Sequence, residues 1–178
     1  MAKIQKIHPF QFLGQYRHID SLINNVLDLD ESEWQKFTIR QKNIVGHKFT
    51  QTVPLMFDYL KKSRDIRHPN YERFEHHLSA ISEQLHEYGY SSVISRANLV
   101  RLFAQSEIAP HIDQGDFLNS TRRVHIPIIT NDLCTFAVGS EIRHLPVGEM
   151  WEINNTGLTH SVTNAGSDHR VHLVVDVR

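Results

Sequence analysis

The sequence predicts a mainly β fold with buttressing helices, in which short strands form a barrel or a two-sheet jelly roll. The first observation is a series of short apolar runs from about residue 93 onward, separated by Gly, Asn, Asp and Pro turn residues. Seven or so closely spaced strands are typical of barrels and jelly rolls. The second is an amphipathic helical stripe earlier in the chain, which needs a sheet to cover. The candidate strands are residues 93–103, 122–129, 133–138, 142–145, 150–153, 161–162 and 171–177.

Helices and loops are predicted for the first half of the chain. Residues 20–28 place apolar side chains at helical spacing. Residues 71–88 form the clearest helix, with Asn70 positioned as its N-terminal cap and Gly89 as its stop. Between the two helices, the alternation within residues 37–55 indicates one or two strands. One face of the second helix is apolar and is expected to pack on the sheet; it consists of Tyr71, Phe74, Leu78, Ile81, Leu85 and Tyr88.

The length of 178 residues fits one domain with a substantial core. We expect residues 1–178 to form a single domain, in which residues 1–92 are a helical and mixed part packed on a barrel core of residues 93–178.

The formal net charge of -1 gives no electrostatic basis for binding nucleic acid or an anionic membrane. No segment approaches the roughly 20 apolar residues of a membrane-spanning helix, so a cytoplasmic location is predicted. The sequence leaves the oligomeric state open.

The single cysteine, Cys134, excludes an intrachain disulfide and a cluster of thiolate metal ligands. It lies in an apolar run that reads as a buried strand, so we interpret it as an inert core thiol.

His111 and Asp113 form an HxD pair of candidate metal ligands. Alternate residues of a strand point to the same face, so both would point into the barrel while Ile112 points into the packing layer. His160 follows a predicted turn at residues 154–157 and can approach from a distant strand. An HxD pair alone is weak evidence, because each of these residues also suits a turn or a strand end. Two imidazoles and one carboxylate are nevertheless the ligand set of non-haem Fe(II) oxygenases.

Arg170 begins a run that is otherwise apolar. A guanidinium is costly to bury there unless it meets an anion, and a carboxylate is its natural bidentate partner. That partner is either an organic acid co-substrate or an internal carboxylate such as Asp176. Arg123 and His125 alternate along their predicted strand and share its barrel-facing side, whereas Arg122 should face away.

The stretch from Asn98 to Val177 resembles the aspartyl/asparaginyl β-hydroxylase family of 2-oxoglutarate-dependent oxygenases, including small bacterial members such as proline hydroxylases. The resemblance covers nearly half of the chain, and its motifs occur in the order of the family. Residues 1–97 show no comparably specific match. The matching segments are PHID at 110–113, RVH at 123–125, LPVGEMW at 145–151, THSV at 159–162 and HRVHLVVD at 169–176.

The resemblance implies a double-stranded β-helix, that is, a cupin-like jelly roll, and a dioxygenase that uses Fe(II), 2-oxoglutarate and O2. It implies His111, Asp113 and His160 as the iron ligands and hence the catalytic centre. The implied reaction is hydroxylation of an unactivated C–H bond in an amino acid, or in an aspartyl- or asparaginyl-like peptide or small molecule. Succinate and carbon dioxide would be released.

The same resemblance implies that Arg170 binds the distal carboxylate of 2-oxoglutarate, with His125 assisting. Arg123 corresponds to a position that meets a substrate carboxylate in aspartyl-hydroxylating members. The animal enzymes of the family lack a carboxylate at the position of Asp113, so the complete triad here is closer to the bacterial small-molecule branch. The sequence does not identify the substrate, and Arg101 is either a second anion-binding residue or an outward-facing strand residue.

Two alternatives remain open at this point. The spacings Pro146-x-Gly148 and His160-x3-Asn164 are similar to the second motif of cupin proteins. The protein could therefore be a cupin-type metal protein, whose barrel holds a metal without using 2-oxoglutarate. A ligand-binding or sensing protein without turnover is the second alternative.

Overall fold

Two antiparallel β-sheets face each other in a computed structural model that describes residues 8–38, 41, 48–58, 65–91 and 93–178. The predicted mainly β fold of the jelly-roll type is confirmed. Within the described residues, seven strands form the larger sheet and four form the smaller one. The strands are β1 (Phe10–Gln15), β2 (Thr50–Asp58), β3 (Asp65–Arg67), β4 (Ile94–Leu102), β5 (Ser106–His111), β6 (Arg122–Ile129), β7 (Cys134–Val138), β8 (Glu141–Arg143), β9 (Glu149–Ile153), β10 (His160–Asn164) and β11 (Arg170–Val177).

The larger sheet has the strand order β1-β9-β6-β11-β4-β2-β3. Its central strand, β11, pairs with β4 on one side and β6 on the other, so Val174 lies opposite both Asn98 and His125. Every residue of β11 is buried. The reason is that helices cover one face of this sheet while the other face looks onto the smaller sheet, so both sets of alternating side chains are shielded from water.

The smaller sheet has the strand order β5-β10-β7-β8. His160 at the start of β10 lies opposite His111 on one neighbour and Val138 on the other. An apolar cluster fills part of the space between the two sheets, with Leu102 and Ile153 from the larger sheet and residues of the smaller sheet facing them. The members from the smaller sheet are Ile108, Phe136, Val138 and Val162.

Four helices lie wholly within the described part of the chain: α1 (Ile19–Leu27), α2 (Glu31–Gln35), α3 (Tyr71–Glu87) and α4 (Asp116–Asn119). Five of the six residues of the predicted apolar face of α3 are buried and pack with outward-facing side chains of the larger sheet such as Leu99, Val124 and Leu173. Tyr88, the sixth, follows the helix as its C-cap and is 47% exposed, so its predicted place on the packing face is wrong. Gly89, with a φ of +80°, terminates the helix as predicted. Asn70 occupies the N-cap position, but its amide donates to Glu33 Oε2 at 2.9 Å instead of capping the helix. None of these helices is both long and apolar enough to cross a membrane.

The N-terminal part also supplies strands to the larger sheet, and the sequence patterns did not indicate all of them. The strand expected within residues 37–55 is observed as β2, which begins at Thr50; residues 39–40 and 42–47 lie outside the described residues. β1 was not predicted, because its register shifts between Phe12 and Gln15 around Gly14, which interrupts the alternation. The polar and irregular strands β3 and β5 likewise give little periodic signal.

Candidate active site

His111, Asp113 and His160, the three ligands predicted from the sequence, come together between the two sheets. The imidazole centroids of the two histidines are 4.2 Å apart. Asp113 Oδ1 lies 3.9 Å from His111 Nε2, and Asp113 Oδ2 lies 3.9 Å from His160 Nε2. Each residue thus presents a ligand atom within 4.8 Å of the others, a spacing that a single metal ion can bridge.

Asp113 does not lie in the strand that carries His111. β5 ends at His111, and Asp113 follows in an irregular segment. Ile112 is 43% exposed, so the expectation that it points into the packing layer is wrong. The alternation of a strand stops where its ladder stops. Asp113 is instead held by Asn155, whose carbonyl accepts from the Asp113 backbone N–H at 2.9 Å and whose amide donates to Asp113 Oδ2 at 2.8 Å.

The charges around Asp113 keep its carboxyl group ionised. Burial alone would raise the pKa of Asp113, but the charge of the Arg123 guanidinium and then the hydrogen bond from the Asn155 amide outweigh burial and hold that pKa below its ordinary value. Arg123 Nη1 donates directly to Asp113 Oδ2. At neutral pH the group is therefore a carboxylate, the form that binds a divalent cation.

The two histidines are in different environments. His160 is almost fully buried; burial lowers its pKa to about 4, the nearby His111 adds to this effect, and Asp113 opposes it. Its imidazole is therefore neutral at pH 7, which is the form that binds a metal. His111 is partly exposed, and its Nδ1 lies 2.8 Å from the Ala109 carbonyl oxygen. In the Nδ1–H tautomer this contact orients the ring so that Nε2 faces Asp113.

Arg170 lies further along the same cavity with its side chain between the sheets, where it is 3% exposed. Its Nε donates to His172 Nε2 at 2.9 Å, and its guanidinium lies 5.7 Å from the centre of the Phe136 ring. No carboxylate of the described residues forms an ion pair with it; Asp176, the internal partner considered from the sequence, pairs with other arginines. Burial lowers the pKa of Arg170 to about 9, so the group is a cation at pH 7, and the described part of the chain offers it no carboxylate as a counter-charge.

His125 lines the same cavity as Arg170 and the three candidate ligands. Its Nδ1 lies 3.4 Å from His172 Nδ1, and its buried Nε2 has no hydrogen-bond partner among the described residues. Burial and then the charge of Arg170 lower the pKa of His125 well below its ordinary value, so the ring is neutral. A buried polar atom without a partner is unfavourable unless a ligand supplies one.

His172 is a site residue that the sequence analysis missed. It is 1% exposed and accepts from the Arg170 guanidinium, so it fixes the direction in which that group points. The only available signal was its position two residues after Arg170 in a β run, which puts both side chains on the inner face of β11.

One cavity connects the candidate metal ligands to Arg170. The predicted ligands, Arg123, His125 and Arg170 all contribute to its wall, and apolar side chains from both sheets complete it. The lining residues are Asn98, Val100, Ile108, His111, Asp113, Arg123, His125, Phe136, His160, Val162, Arg170 and Val174. The cavity thus offers metal ligands and a cationic group to one bound molecule.

Arg123 faces this cavity, but acidic groups of the protein occupy its guanidinium. Its Nε donates to Asp176 Oδ1 at 2.9 Å, and its Nη1 donates to Asp113. Arg96 donates to the other Asp176 oxygen at 2.6 Å, so this carboxylate lies between two arginines. A substrate carboxylate at Arg123 would have to share or replace one of these contacts.

Two other arginines considered from the sequence lie outside the cavity. Arg122 faces away from the barrel, as expected, and its Nη1 donates to Glu152 Oε2 at 3.0 Å. Arg101 also faces outward: its Nη1 donates to Glu31 at 2.8 Å, and the guanidinium covers the ring of Trp34. Neither residue contributes to an anion site in the cavity.

The residues present fit a ferrous ion and a dicarboxylic acid. Two imidazoles and one ionised carboxylate match the donors of a non-haem Fe(II) centre. The uncompensated Arg170 guanidinium and the unpartnered Nε2 of His125 match a carboxylate that reaches further along the cavity. The fold and the site therefore define a jelly-roll protein in which two histidines and one carboxylate are spaced as a metal ion would need them.

Comparison with known proteins identifies the family. The sequence model of the Aspartyl/Asparaginyl beta-hydroxylase family matches residues 11–178. The chain belongs to this family. The match begins near the start of the chain, and so it includes most of residues 1–97, for which the sequence alone showed no specific resemblance.

Individual relatives are more distant. An L-proline cis-4-hydroxylase from Rhizobium meliloti (strain 1021) is 26% identical over 99 residues, which are 56% of this chain and 35% of that protein. The match therefore spans only about a third of the length of this relative. A Pseudomonas putida prolyl-4-hydroxylase has a TM-score of 0.61 with 10% identity, covering 96% of this chain and 92% of that one. An oxidoreductase of the 2OG-Fe(II) oxygenase family from Burkholderia pseudomallei has a TM-score of 0.57 with 17% identity, covering 72% and 65%. At these identities the two structures show a shared fold.

Proposed function

We propose that this protein is an Fe(II)- and 2-oxoglutarate-dependent dioxygenase that hydroxylates an unactivated C–H bond. The observation that carries the proposal is the cavity that contains His111, Asp113 and His160 together with the uncompensated Arg170. A metal centre alone would not require a buried guanidinium, and an internal structural arginine would be paired with an internal carboxylate. Family membership agrees with this assignment.

His111, Asp113 and His160 would hold ferrous iron through two imidazole nitrogens and one carboxylate oxygen, a ligand set that leaves coordination positions for the acid and for O2. When bound, iron and 2-oxoglutarate supply the chemistry: one oxygen atom of O2 enters the substrate C–H bond and the other enters succinate, with release of carbon dioxide. The protein contributes ligand geometry, orientation of the acid and a cavity with apolar walls.

Arg170 would bind the distal carboxylate of 2-oxoglutarate through its guanidinium, which His172 orients. His125 would donate from Nε2, the atom that has no partner among the described residues. Together these residues would fix one orientation of the acid, with its keto end at the metal and its distal end at Arg170. Because the whole guanidinium is buried, the carboxylate would be recognised out of contact with bulk water, where charge-assisted hydrogen bonds are strongest.

The substrate class that we propose is an amino acid, free or within a peptide, that presents a carboxylate near Arg123. Arg123 and Arg96 both lie on the inner face of the larger sheet and converge on Asp176. If Asp113 binds a metal, its negative charge is shared with that ion. The two positive charges of Arg123 and Arg96 are then opposed only by the one negative charge of Asp176. A substrate carboxylate would balance the remaining positive charge. The L-proline cis-4-hydroxylase relative makes proline a first compound to test. The name of the family adds aspartate and asparagine, each free and in short peptides.

The test of the proposal is optical and chemical. Anaerobic addition of Fe(II) and then 2-oxoglutarate should produce a weak visible charge-transfer band if the keto acid chelates the iron. With O2, an amino acid and peptide screen should reveal a compound that stimulates succinate formation and gains one oxygen atom by mass. Iron binding without the band would overturn the proposal and favour a cupin-type metal protein. Succinate formation that no compound stimulates would contradict the proposed hydroxylase substrates.

A further inference from the structure

Asn155 makes two contacts with one candidate metal ligand. It is fully buried in the loop between β9 and β10, the loop that leads into His160. Its side-chain amide donates to Asp113 Oδ2 at 2.8 Å, and its backbone carbonyl accepts from the Asp113 N–H at 2.9 Å. A single residue therefore holds both the main chain and the carboxylate of Asp113, 42 positions away in the sequence.

Asp113 depends on these contacts because the sheet no longer supports it. The β5–β10 register ends at the His111–His160 pair. The residues on both sides of Asp113, Ile112 and Gln114, are exposed. Beyond the ladder, the direction of the Asp113 side chain has to be set by hydrogen bonds from elsewhere.

The loop that carries Asn155 is itself fixed at several points. The Asn154 N–H donates to the Pro9 carbonyl at 3.0 Å, and Asn154 Oδ1 accepts from the Gly157 N–H at 2.9 Å. The Thr159 carbonyl accepts from the Gly139 N–H at 2.8 Å. A Cβ at Gly157 would lie only 2.5 Å from Asn154 Oδ1, so the loop is closely packed. Asn155 thus reaches Asp113 from a loop that is hydrogen-bonded and closely packed.

The two oxygens of Asp113 have different surroundings. Oδ2 accepts hydrogen bonds from both Asn155 and Arg123. The described residues place no hydrogen-bond donor on Oδ1, which lies 3.9 Å from His111 Nε2. Hydrogen bonds to one oxygen of a carboxylate leave the other oxygen as the better placed metal ligand.

We infer that Asn155 is a positioning residue of the metal centre, which holds Asp113 Oδ2 so that Oδ1 faces the metal. This inference rests on the proposed function, because it requires a metal at the three candidate ligands. The loop before His160 would then have two roles. It leads into the ligand His160, and through Asn155 it also sets the position of the ligand Asp113. Partners of this kind change metal affinity by about 10- to 100-fold when removed.

The test uses Asn155→Asp, which keeps the size of the side chain and replaces the amide donor with an acceptor that repels Asp113. Cobalt(II) alone is the probe, since it prefers the same kinds of ligand as iron and has visible d–d bands that report coordination geometry. We expect about 10- to 100-fold weaker cobalt binding and altered d–d bands. The matched control is Asn25→Asp on α1, an asparagine that contacts Arg73 and His77 in the helical layer. It introduces the same charge and should leave both readouts unchanged.

A double-mutant cycle separates positioning from a general effect on the loop. In an Asp113→Ala background, Asn155→Asp should change the remaining cobalt affinity little, because the contact through which it acts is already gone. An equal loss in both backgrounds would show that Asn155 acts through the loop and His160, and would overturn the inference. If Asn155→Asp fails to fold, Asn155→Ser takes its place, because it removes the amide without adding charge. Its effect on cobalt affinity is then compared in the unaltered and Asp113→Ala backgrounds.

The two possible failures are distinguishable. If the unaltered protein binds no cobalt, or if binding survives alanine at His111 and His160, the proposed metal centre is wrong and the inference falls with it. If the protein binds cobalt through these residues while Asn155→Asp retains the affinity and the spectrum, the inference alone is wrong.

Discussion

The guanidinium of Arg123 donates from Nε to Asp176 Oδ1 at 2.9 Å, and Asp176 is 1% exposed. The two residues are direct neighbours across β6 and β11, and Arg96 flanks Asp176 from β4 on the other side. Burial alone would raise the pKa of Asp176, but Arg123 and Arg96 hold it below its ordinary value. The pair is therefore ionised inside the barrel, beside Asp113.

Arg123→Met should destabilise the protein by about 3–5 kcal/mol, because it leaves Asp176 and Asp113 buried with one counter-charge fewer. The free energy of unfolding from urea titration checks this prediction. The control is Arg143→Met, whose partner Glu141 is largely solvated, and it should cost less than about 1 kcal/mol. Equal costs for the two variants would contradict the assigned importance of the buried pair.

Arg170→Met should weaken 2-oxoglutarate binding about 100-fold while leaving metal affinity nearly unchanged, since a charge-assisted contact in a buried site is lost. Titration of the charge-transfer band with 2-oxoglutarate measures the acid, and a cobalt titration measures the metal. Arg101→Met is the matched control, because that guanidinium binds Glu31 outside the cavity. Parallel loss of acid and metal binding would remove Arg170 from its assigned role.

His77 should make stability depend on pH. It is fully buried, its Nδ1 lies 2.8 Å from the Tyr16 hydroxyl, and burial lowers its pKa from 6.5 to about 4. Between these values the unfolded chain binds a proton that the folded protein does not, so the free energy of unfolding falls as pH falls from 6.5 to 4. Between pH 7 and pH 5 this group should account for about 2 kcal/mol.

The measurement compares urea unfolding of the protein with that of His77→Gln at pH 7 and pH 5. The other histidines are common to both, so their contributions cancel in the difference. We expect the variant to lose about 2 kcal/mol less than the unaltered protein over this interval. Identical pH dependence in the two proteins would show that His77 is not the titrating group.

Leu173→Ala should destabilise the protein by about 2–5 kcal/mol, because Leu173 is fully buried between the larger sheet and the helices and its removal leaves a cavity. Ile142→Ala, at a side chain that is 70% exposed, should change stability by less than about 0.5 kcal/mol. Thermal or urea unfolding gives both values. A small effect at Leu173 would mean that the helices are not firmly packed on the sheet.

Local patterns predicted the parts of the fold that depend on local chemistry. The bounds of β6 were found at residues 122–129, and the predicted helix of residues 71–88 was found as α3. Alternation along β6 placed Arg123 and His125 inside the barrel and Arg122 outside it. The bounds of an element and the face to which each of its side chains points follow from the geometry of one strand or one helix. They can therefore be predicted from a single stretch of sequence.

Patterns failed where a strand is irregular or where an element has no periodicity of its own. The bulge in β1 hid that edge strand, and the end of β5 at His111 made strand alternation misleading for Ile112. Asn155 and His172 carried no signal of their own, because an asparagine in a turn and a histidine in a strand are both ordinary there. Their roles appear only when their partners are known.

The sequence by itself determined which side chains are available: two imidazoles, one carboxylate and one guanidinium in a chain rich in short strands. Only the tertiary structure decided that His111 faces His160 across β5 and β10 and that Asn155 donates to the Asp113 carboxylate. It also decided that Asp176 pairs with Arg123 and Arg96, so that Arg170 has no carboxylate partner among the residues that the structure describes. The physical reason is that hydrogen bonds and ion pairs between distant residues form after strands have paired, and strand pairing depends on the whole chain.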